Sequence, residues 1–136
     1  AREPVASSRL ADLLKQGFEQ IEADFTAIEG VRLMVDPVLM ERAFKNIIKN
    51  AYEAGARLVR ISAAVTDSGV YFEITDDAPL IPAEIRGNIW TPFFTTKQGG
   101  MGIGLAITKS IIEKHGGSVS YGVKNGLNCF KVIIPS

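Results

Sequence analysis

The stretch Gly99-Gly100-Met101-Gly102-Ile103-Gly104-Leu105-Ala106-Ile107 brings four of the chain's thirteen glycines into six consecutive residues. Mostly apolar, helix-compatible residues follow at once, from Leu105 to Ile112. Backbone N–H groups with no side chains over them are open to an anion. A helix starting beside them adds the positive end of its dipole. Together these features hold phosphate. Glycines also make ordinary tight turns, so the run alone defines either a phosphate cradle or a turn.

Asp36-Pro37 supplies an N-cap acceptor and a proline at the first helical position. The pattern predicts a helix from there to about Ala54, ended by Gly55. On a wheel of about 100° per residue, Phe44, Ile47, Ile48 and Ala51 share one face. Glu41, Arg42, Lys45, Lys49 and Tyr52 lie opposite, and Asn46, Asn50 and Glu53 form a stripe at the border. Asn is a poor helix-interior residue, so two of them there need a reason. They are either border amides satisfied by a neighbouring loop or oxygen ligands for a hard cation. Mg²⁺ fits the second reading, since it takes few protein oxygens and leans on phosphates.

Thr75-Asp76-Asp77-Ala78-Pro79 places carboxylates at the end of an apolar strand. Such a carboxylate accepts from an amino group in an apolar pocket, or it caps a turn. Trp90-Thr91-Pro92-Phe93-Phe94-Thr95-Thr96-Lys97 carries adjacent aromatics, which anchor a loop against a core. Lys97 then leads towards the glycines, either as a point charge for phosphate or as a solvated lysine.

The elements needed to position these residues can be read along the 136-residue chain, a length suited to one domain with a proper core. Residues 1–6 read as a linker and 7–136 as the domain. A helix is expected from Ser7 or Ser8 to about Glu22, a candidate connector. Strand-like segments lie at 24–28 and 31–35, with Glu29-Gly30 turning between them. Leu58–Val65 and Val70–Thr75 form a hairpin, and so do Ser118–Val123 and Leu127–Ile134, the latter pair around Asn125-Gly126. A short helical piece is expected near Ala83–Ile89, and the glycine-led helix runs to about Lys114. The fold class is α+β: a two-layer sandwich with helices over one face of a mixed, mainly antiparallel sheet.

Fifteen basic and fifteen acidic residues cancel, which argues against a dedicated nucleic-acid or polybasic membrane surface. The single cysteine, Cys129, excludes an internal disulfide and reads as packing in a strand. No apolar run is long enough to span a membrane and no signal peptide is visible. The absence of an initial Met reads as a fragment of a longer chain.

Four motifs occur in a specific order. Phe44-Lys45-Asn46-Ile47-Ile48-Lys49-Asn50-Ala51 resembles the N box of sensor histidine kinases. Asp76-Asp77-Ala78-Pro79-Leu80-Ile81-Pro82 resembles their first glycine box, and Pro92-Phe93-Phe94-Thr95-Thr96-Lys97 their F box. Gly100-Met101-Gly102-Ile103-Gly104-Leu105-Ala106-Ile107 resembles their second glycine box, followed by Ile111-Ile112-Glu113-Lys114-His115-Gly116-Gly117. The resemblance covers roughly residues 30–135. It implies the Bergerat fold, which is shared with gyrase, MutL and a heat-shock chaperone, and the ATP-binding catalytic domain of a two-component kinase.

The resemblance implies ATP and Mg²⁺ as cofactors. Asn46 and Asn50 would hold the metal and, with Lys97, serve catalysis. The nucleotide would be bound by Asn50, Glu53, Asp76, Ala78, Ile81, Phe94, Thr95, Thr96, Lys97, Gly100, Met101, Gly102, Ile103, Gly104 and Leu105, with Asp76 accepting from the adenine amino group. The γ-phosphoryl group would pass to a histidine on a separate dimerisation and phosphoacceptor domain. A response-regulator receiver domain is the implied downstream partner. No nucleic acid and no direct membrane contact are implied, and the implied compartment is the cytoplasm, whether or not the parent chain is membrane-anchored. His115, the only histidine, reads as part of a helix C-terminal cap and not as the acceptor.

Ala78 and Leu80 stand where the first glycine box usually has glycines, and Asn128 stands where a threonine is common. Asp77 adds a carboxylate beside the expected site of a polyanion. Only Gln98-Gly99 separates the F box from the second glycine box, where the family often carries a longer lid. These departures leave open an alternative, a nucleotide-binding or scaffolding module without kinase activity.

Overall fold

A computed structural model describes residues 1–18, 20–92 and 104–135. In chain order the elements are β1 (Glu3–Ala6), α1 (Ser7–Lys15), β2 (Ile21–Asp24), β3 (Arg32–Val35), α2 (Pro37–Glu53), β4 (Val59–Thr66), β5 (Gly69–Asp76), α3 (Gly104–Lys114), β6 (Ser118–Lys124) and β7 (Leu127–Ile134). Five strands form one sheet in the order β2-β4-β5-β7-β6, while β1 and β3 form a separate two-stranded ribbon. The large sheet is antiparallel except where β2 runs parallel to β4. It is therefore the expected mixed, mainly antiparallel sheet, packed against helices.

Alternation along the strands builds the core. Val59, Ile61 and Ala63 of β4, Phe72 and Ile74 of β5, and Phe130, Val132 and Ile134 of β7 are buried. They pack with Met40, Ala43, Phe44, Ile47, Ile48 and Ala51 of α2 and with Ile111 and Ile112 of α3. Phe72 joins the layers: its ring meets Phe44 edge-on at 5.1 Å and Phe25 at 5.7 Å. The other face of the sheet is polar. Arg60 pairs with Glu22 at 2.9 Å and Lys124 with Glu73 at 2.6 Å. Cys129 is buried, and burial pushes its thiol pKa up.

α2 begins where Asp36 and Pro37 direct. Asp36 Oδ1 accepts from the N–H groups of Val38 and Leu39 at 3.0 and 3.1 Å. Both expected hairpins form, and the second turns at Asn125 and Gly126 with φ of 52° and 78°. The expected short helix at 83–89 is a 3₁₀ helix over Ala83–Asn88.

The N-terminal quarter differs from expectation. The linker read over residues 1–6 contains β1, in which Val5 is fully buried and pairs with Leu33. The helix expected to reach Glu22 stops at Lys15, because Gly17 takes φ of +86° and turns the chain out of the helix. Ile21–Asp24 then joins the sheet edge beside β4. The strand expected at 24–28 is a 3₁₀ turn over Thr26–Ile28, with Asp24 Oδ1 accepting from the Thr26 N–H at 3.1 Å and from its hydroxyl at 2.7 Å. Segments 24–28 and 31–35 therefore do not pair, and β3 takes β1 as its partner.

Candidate nucleotide site

The C-terminal half of α2, the start of α3 and the end of β5 supply the predicted polar residues. α2 leads directly into β4, and Val59 at the start of β4 is the register partner of Asp76 at the end of β5. This connection puts the C-terminal end of α2, which carries Asn50 and Glu53, at the end of the sheet that holds Asp76.

At the helix pair, Asn46 Nδ2 donates to the carbonyl of Gly104 at 3.2 Å. A Cβ placed on Gly104 would lie 3.3 Å from Asn50 Nδ2 and 3.8 Å from Asn46 Cβ. The missing side chain is what lets α3 approach both amides. One turn further along α3, the buried Thr108 hydroxyl donates to the carbonyl of Ala43 at 2.7 Å. Two polar cross-links thus set the position of α3 against α2. Leu105 is half-buried and packs against the core, and Glu53 is exposed at the end of α2.

At the strand end, Asp76 is 3 % exposed. Its Oδ1 accepts from the Ala78 N–H and from Asn128 Nδ2, both at 3.0 Å. Among the described residues Oδ2 accepts no hydrogen bond. Burial raises the Asp76 pKa above the ordinary carboxyl value, and the two hydrogen bonds on Oδ1 oppose that shift. Ala78 is buried beside it, and Ile81 and Trp90 are half-buried against the core. Trp90 meets Phe130 edge-on at 5.9 Å, while Phe93 and Phe94, the adjacent aromatics expected to anchor the loop, lie outside the described residues. Leu80 is 42 % exposed.

The Asp77 carboxylate is engaged by the backbone: it accepts from the N–H groups of Arg57 and Leu58 at 2.7 and 3.2 Å. Those bonds, led by the one from Arg57, lower its pKa. Asp77 therefore holds the turn between α2 and β4.

His115 has the capping role read from the sequence. It is 7 % exposed, its Nε2 accepts from the Asp36 N–H at 3.1 Å, and its Nδ1 lies 2.8 Å from the carbonyl of Ile111. The ring joins the end of α3 to the start of α2 and is closed to phosphoryl transfer.

Phe94, Thr95, Thr96, Lys97, Gly100, Met101, Gly102 and Ile103 lie outside the described residues. Sequence reasoning missed Thr108, Tyr121 and Arg86. Thr108 is a polar residue amid the apolar positions of α3, a signal that could have found it. A cleft of 430 Å³ on the polar face of the sheet, lined by Glu22, Asp24, Arg60, Glu73 and Lys124 among others, contains none of the site residues.

Buried acceptor, paired amides and glycine-started helix define a class. Residues 35–136 match the histidine kinase-, DNA gyrase B- and HSP90-like ATPases, and the chain belongs to that family. Within it, the similar proteins include sensor histidine kinases. The chain is 32 % identical over 110 residues to the sensor histidine kinase ZraS of Escherichia coli, covering 79 % of this chain and 24 % of ZraS. It is 38 % identical over 120 residues to the C4-dicarboxylate transport sensor protein DctS of Rhodobacter capsulatus, covering 79 % of this chain and 17 % of DctS. The chain therefore spans about a quarter or less of these relatives. The nucleotide-free catalytic domain of histidine kinase ThkA superposes with a TM-score of 0.87 at 26 % identity, over 99 % of this chain and 95 % of that domain. The chain corresponds to the ATP-binding catalytic part of such kinases.

Proposed function

We propose that this chain binds ATP with Mg²⁺ and delivers the γ-phosphoryl group to a histidine on a dimerisation domain outside it. The observation that carries this reading is the pairing of two features at one end of the sheet. Asp76 is a buried carboxylate with Oδ2 available to an amino donor, and Asn46 and Asn50 lie against the glycine that starts α3. The first suits the adenine amino group and the second suits the phosphates.

The residues fit Mg²⁺ by donor chemistry. The Asn46 amide is oriented by its Nδ2 bond to Gly104, so its oxygen is the atom left for a cation. The absent Cβ of Gly104 keeps space beside Asn50. Mg²⁺ bound there would neutralise phosphate charge, and Asn46 and Asn50 would orient it. Glu53, Ala78, Ile81, Leu105, Lys97 and the F-box and glycine-box residues complete the proposed binding set. The work of the chain is positioning and charge neutralisation, which suits phosphoryl transfer.

The proposed partners are the phosphoacceptor domain of the same parent and a receiver domain, and the proposed compartment is the cytoplasm. A solved structure of ThkA in complex with the response regulator TrrA supports the receiver domain as a partner. Among the described residues no helix is long and apolar enough to cross a membrane. Incubating the chain with labelled ATP, Mg²⁺ and a histidine-bearing dimerisation domain tests the proposal. Label on the histidine is the expected result. ATP binding without transfer would support the alternative, a nucleotide-binding or scaffolding module, which the Ala78 and Leu80 substitutions favour.

A further inference from the structure

Asn128 of β7 is the register partner of Asp76 and is 3 % exposed. Its amide is fully committed. Nδ2 donates to Asp76 Oδ1 at 3.0 Å and to the carbonyls of Ala78 and Pro79 at 3.2 Å each. Oδ1 accepts from the Ile81 N–H at 3.2 Å and from the Tyr121 hydroxyl. Acceptors on one side and donors on the other allow a single orientation of the amide.

One side chain therefore ties the acceptor carboxylate to the loop that follows it. The Ile81 N–H also donates to the Tyr121 hydroxyl, at 3.2 Å. Arg86 closes the network from outside: its Nε donates to the Ile81 carbonyl at 3.0 Å, and its guanidinium lies 5.4 Å from the centre of the Tyr121 ring. Residues 76–82 contain no glycine. Within 78–81, and among the described residues, Leu80 alone makes no backbone hydrogen bond.

We propose that Asn128 is a positioning residue that fixes base selectivity: it holds Asp76 as an acceptor, with Oδ2 presented to the ligand, and stiffens loop 78–81 into one wall of the base pocket. This rests on the nucleotide reading given above. A donor seated on Oδ1 keeps the carboxylate in its acceptor form. The ligand group meeting Oδ2 must then donate. The 6-amino group of adenine does so, whereas a 6-oxo purine presents a second acceptor and is refused.

Asn128→Ala removes the amide and with it the bonds to all five partners. Tyr121→Phe removes one hydroxyl and leaves the packing against Phe130, whose ring lies 5.2 Å away. Wild type and both variants are titrated with Mg–ATP and with Mg–inosine triphosphate, and amide exchange at Ala78 and Ile81 is followed without nucleotide. Wild type is expected to prefer ATP. Asn128→Ala lowers that preference about tenfold, the loss of a hydrogen bond to a charged group, and speeds both amides. Tyr121→Phe shifts both readouts in the same direction by less, and it carries the test if Asn128→Ala does not fold. Unchanged ATP preference in folded variants overturns the proposal, even if exchange speeds up, because the clamp would then be structural only. Wild type that binds no ATP overturns the nucleotide reading itself, and this is seen before any variant is measured.

Discussion

The side-chain amide of Asn46, in the third turn of α2, donates to the carbonyl of Gly104, the first residue of α3, at 3.2 Å. A residue proposed to serve a cation also fixes the helix whose start is proposed to face the phosphates. This one contact would couple the proposed metal and phosphate positions, and Gly104 lacks a side chain at the place where a Cβ would meet Asn50.

Gly104→Ala separates binding from stability. Its φ lies outside the left-handed region, so alanine is tolerated by the backbone. Alanine is the better helix former by up to about 1 kcal/mol. The added Cβ crowds the Asn50 amide. The melting temperature should stay level or rise, while Mg–ATP affinity falls several-fold, read by thermal denaturation and calorimetry on the same sample. Affinity equal to wild type would show that Asn50 does not need this space.

Asp76 should impose a pH dependence on ATP binding. Burial raises its folded pKa above the unfolded value, so between those values the folded chain holds the extra proton. The stability contributed by this group is therefore greatest at low pH and declines as pH rises through that window. ATP acts in the opposite sense, because the adenine amino group needs the ionised acceptor. ATP affinity should fall as pH drops through the raised pKa. Asp76→Asn should bind ATP at least about tenfold more weakly and lose this titration. A pH profile identical in wild type and variant would contradict the assignment.

Thr108→Val tests the second cross-link between α2 and α3. The hydroxyl is fully buried and bonded to Ala43, and valine matches its shape. The loss should be about 1 kcal/mol of unfolding free energy, measured by urea denaturation. No loss would mean that packing of Ile111 and Ile112 alone seats α3.

Phe72→Ala removes the ring that contacts both Phe44 and Phe25. The expected cost is about 3–5 kcal/mol, again from denaturant unfolding. A cost below about 1 kcal/mol would contradict the placement of this residue at the centre of the core.

Much of the fold was legible because its signals are local. Asp36-Pro37 marks the start of α2, and Asn125-Gly126 marks the turn between β6 and β7. The N-terminal quarter was not legible. Val5 is the one fully buried residue of β1, and the strand alternation of Ile21–Asp24 is too short to outweigh the helical spacing that precedes Gly17. The polar stripe on α2 and the carboxylate of Asp76 were visible because polar residues stand at apolar positions. That Asp76 meets Asn128 while Asp77 meets the backbone of Arg57 and Leu58 could not be read from the sequence, because those partners come together only through the strand pairing. The amide network of Asn128 was out of reach, since it joins residues about fifty positions apart through cross-strand pairing.

Calorimetric titration of the folded chain with ATP, with and without Mg²⁺, tests the central claim most directly. Saturable heat with ATP, strengthened by Mg²⁺ and weakened in Asp76→Asn, is the predicted result. Folded protein that gives no heat at millimolar ATP would contradict the assignment of this end of the sheet as a nucleotide site.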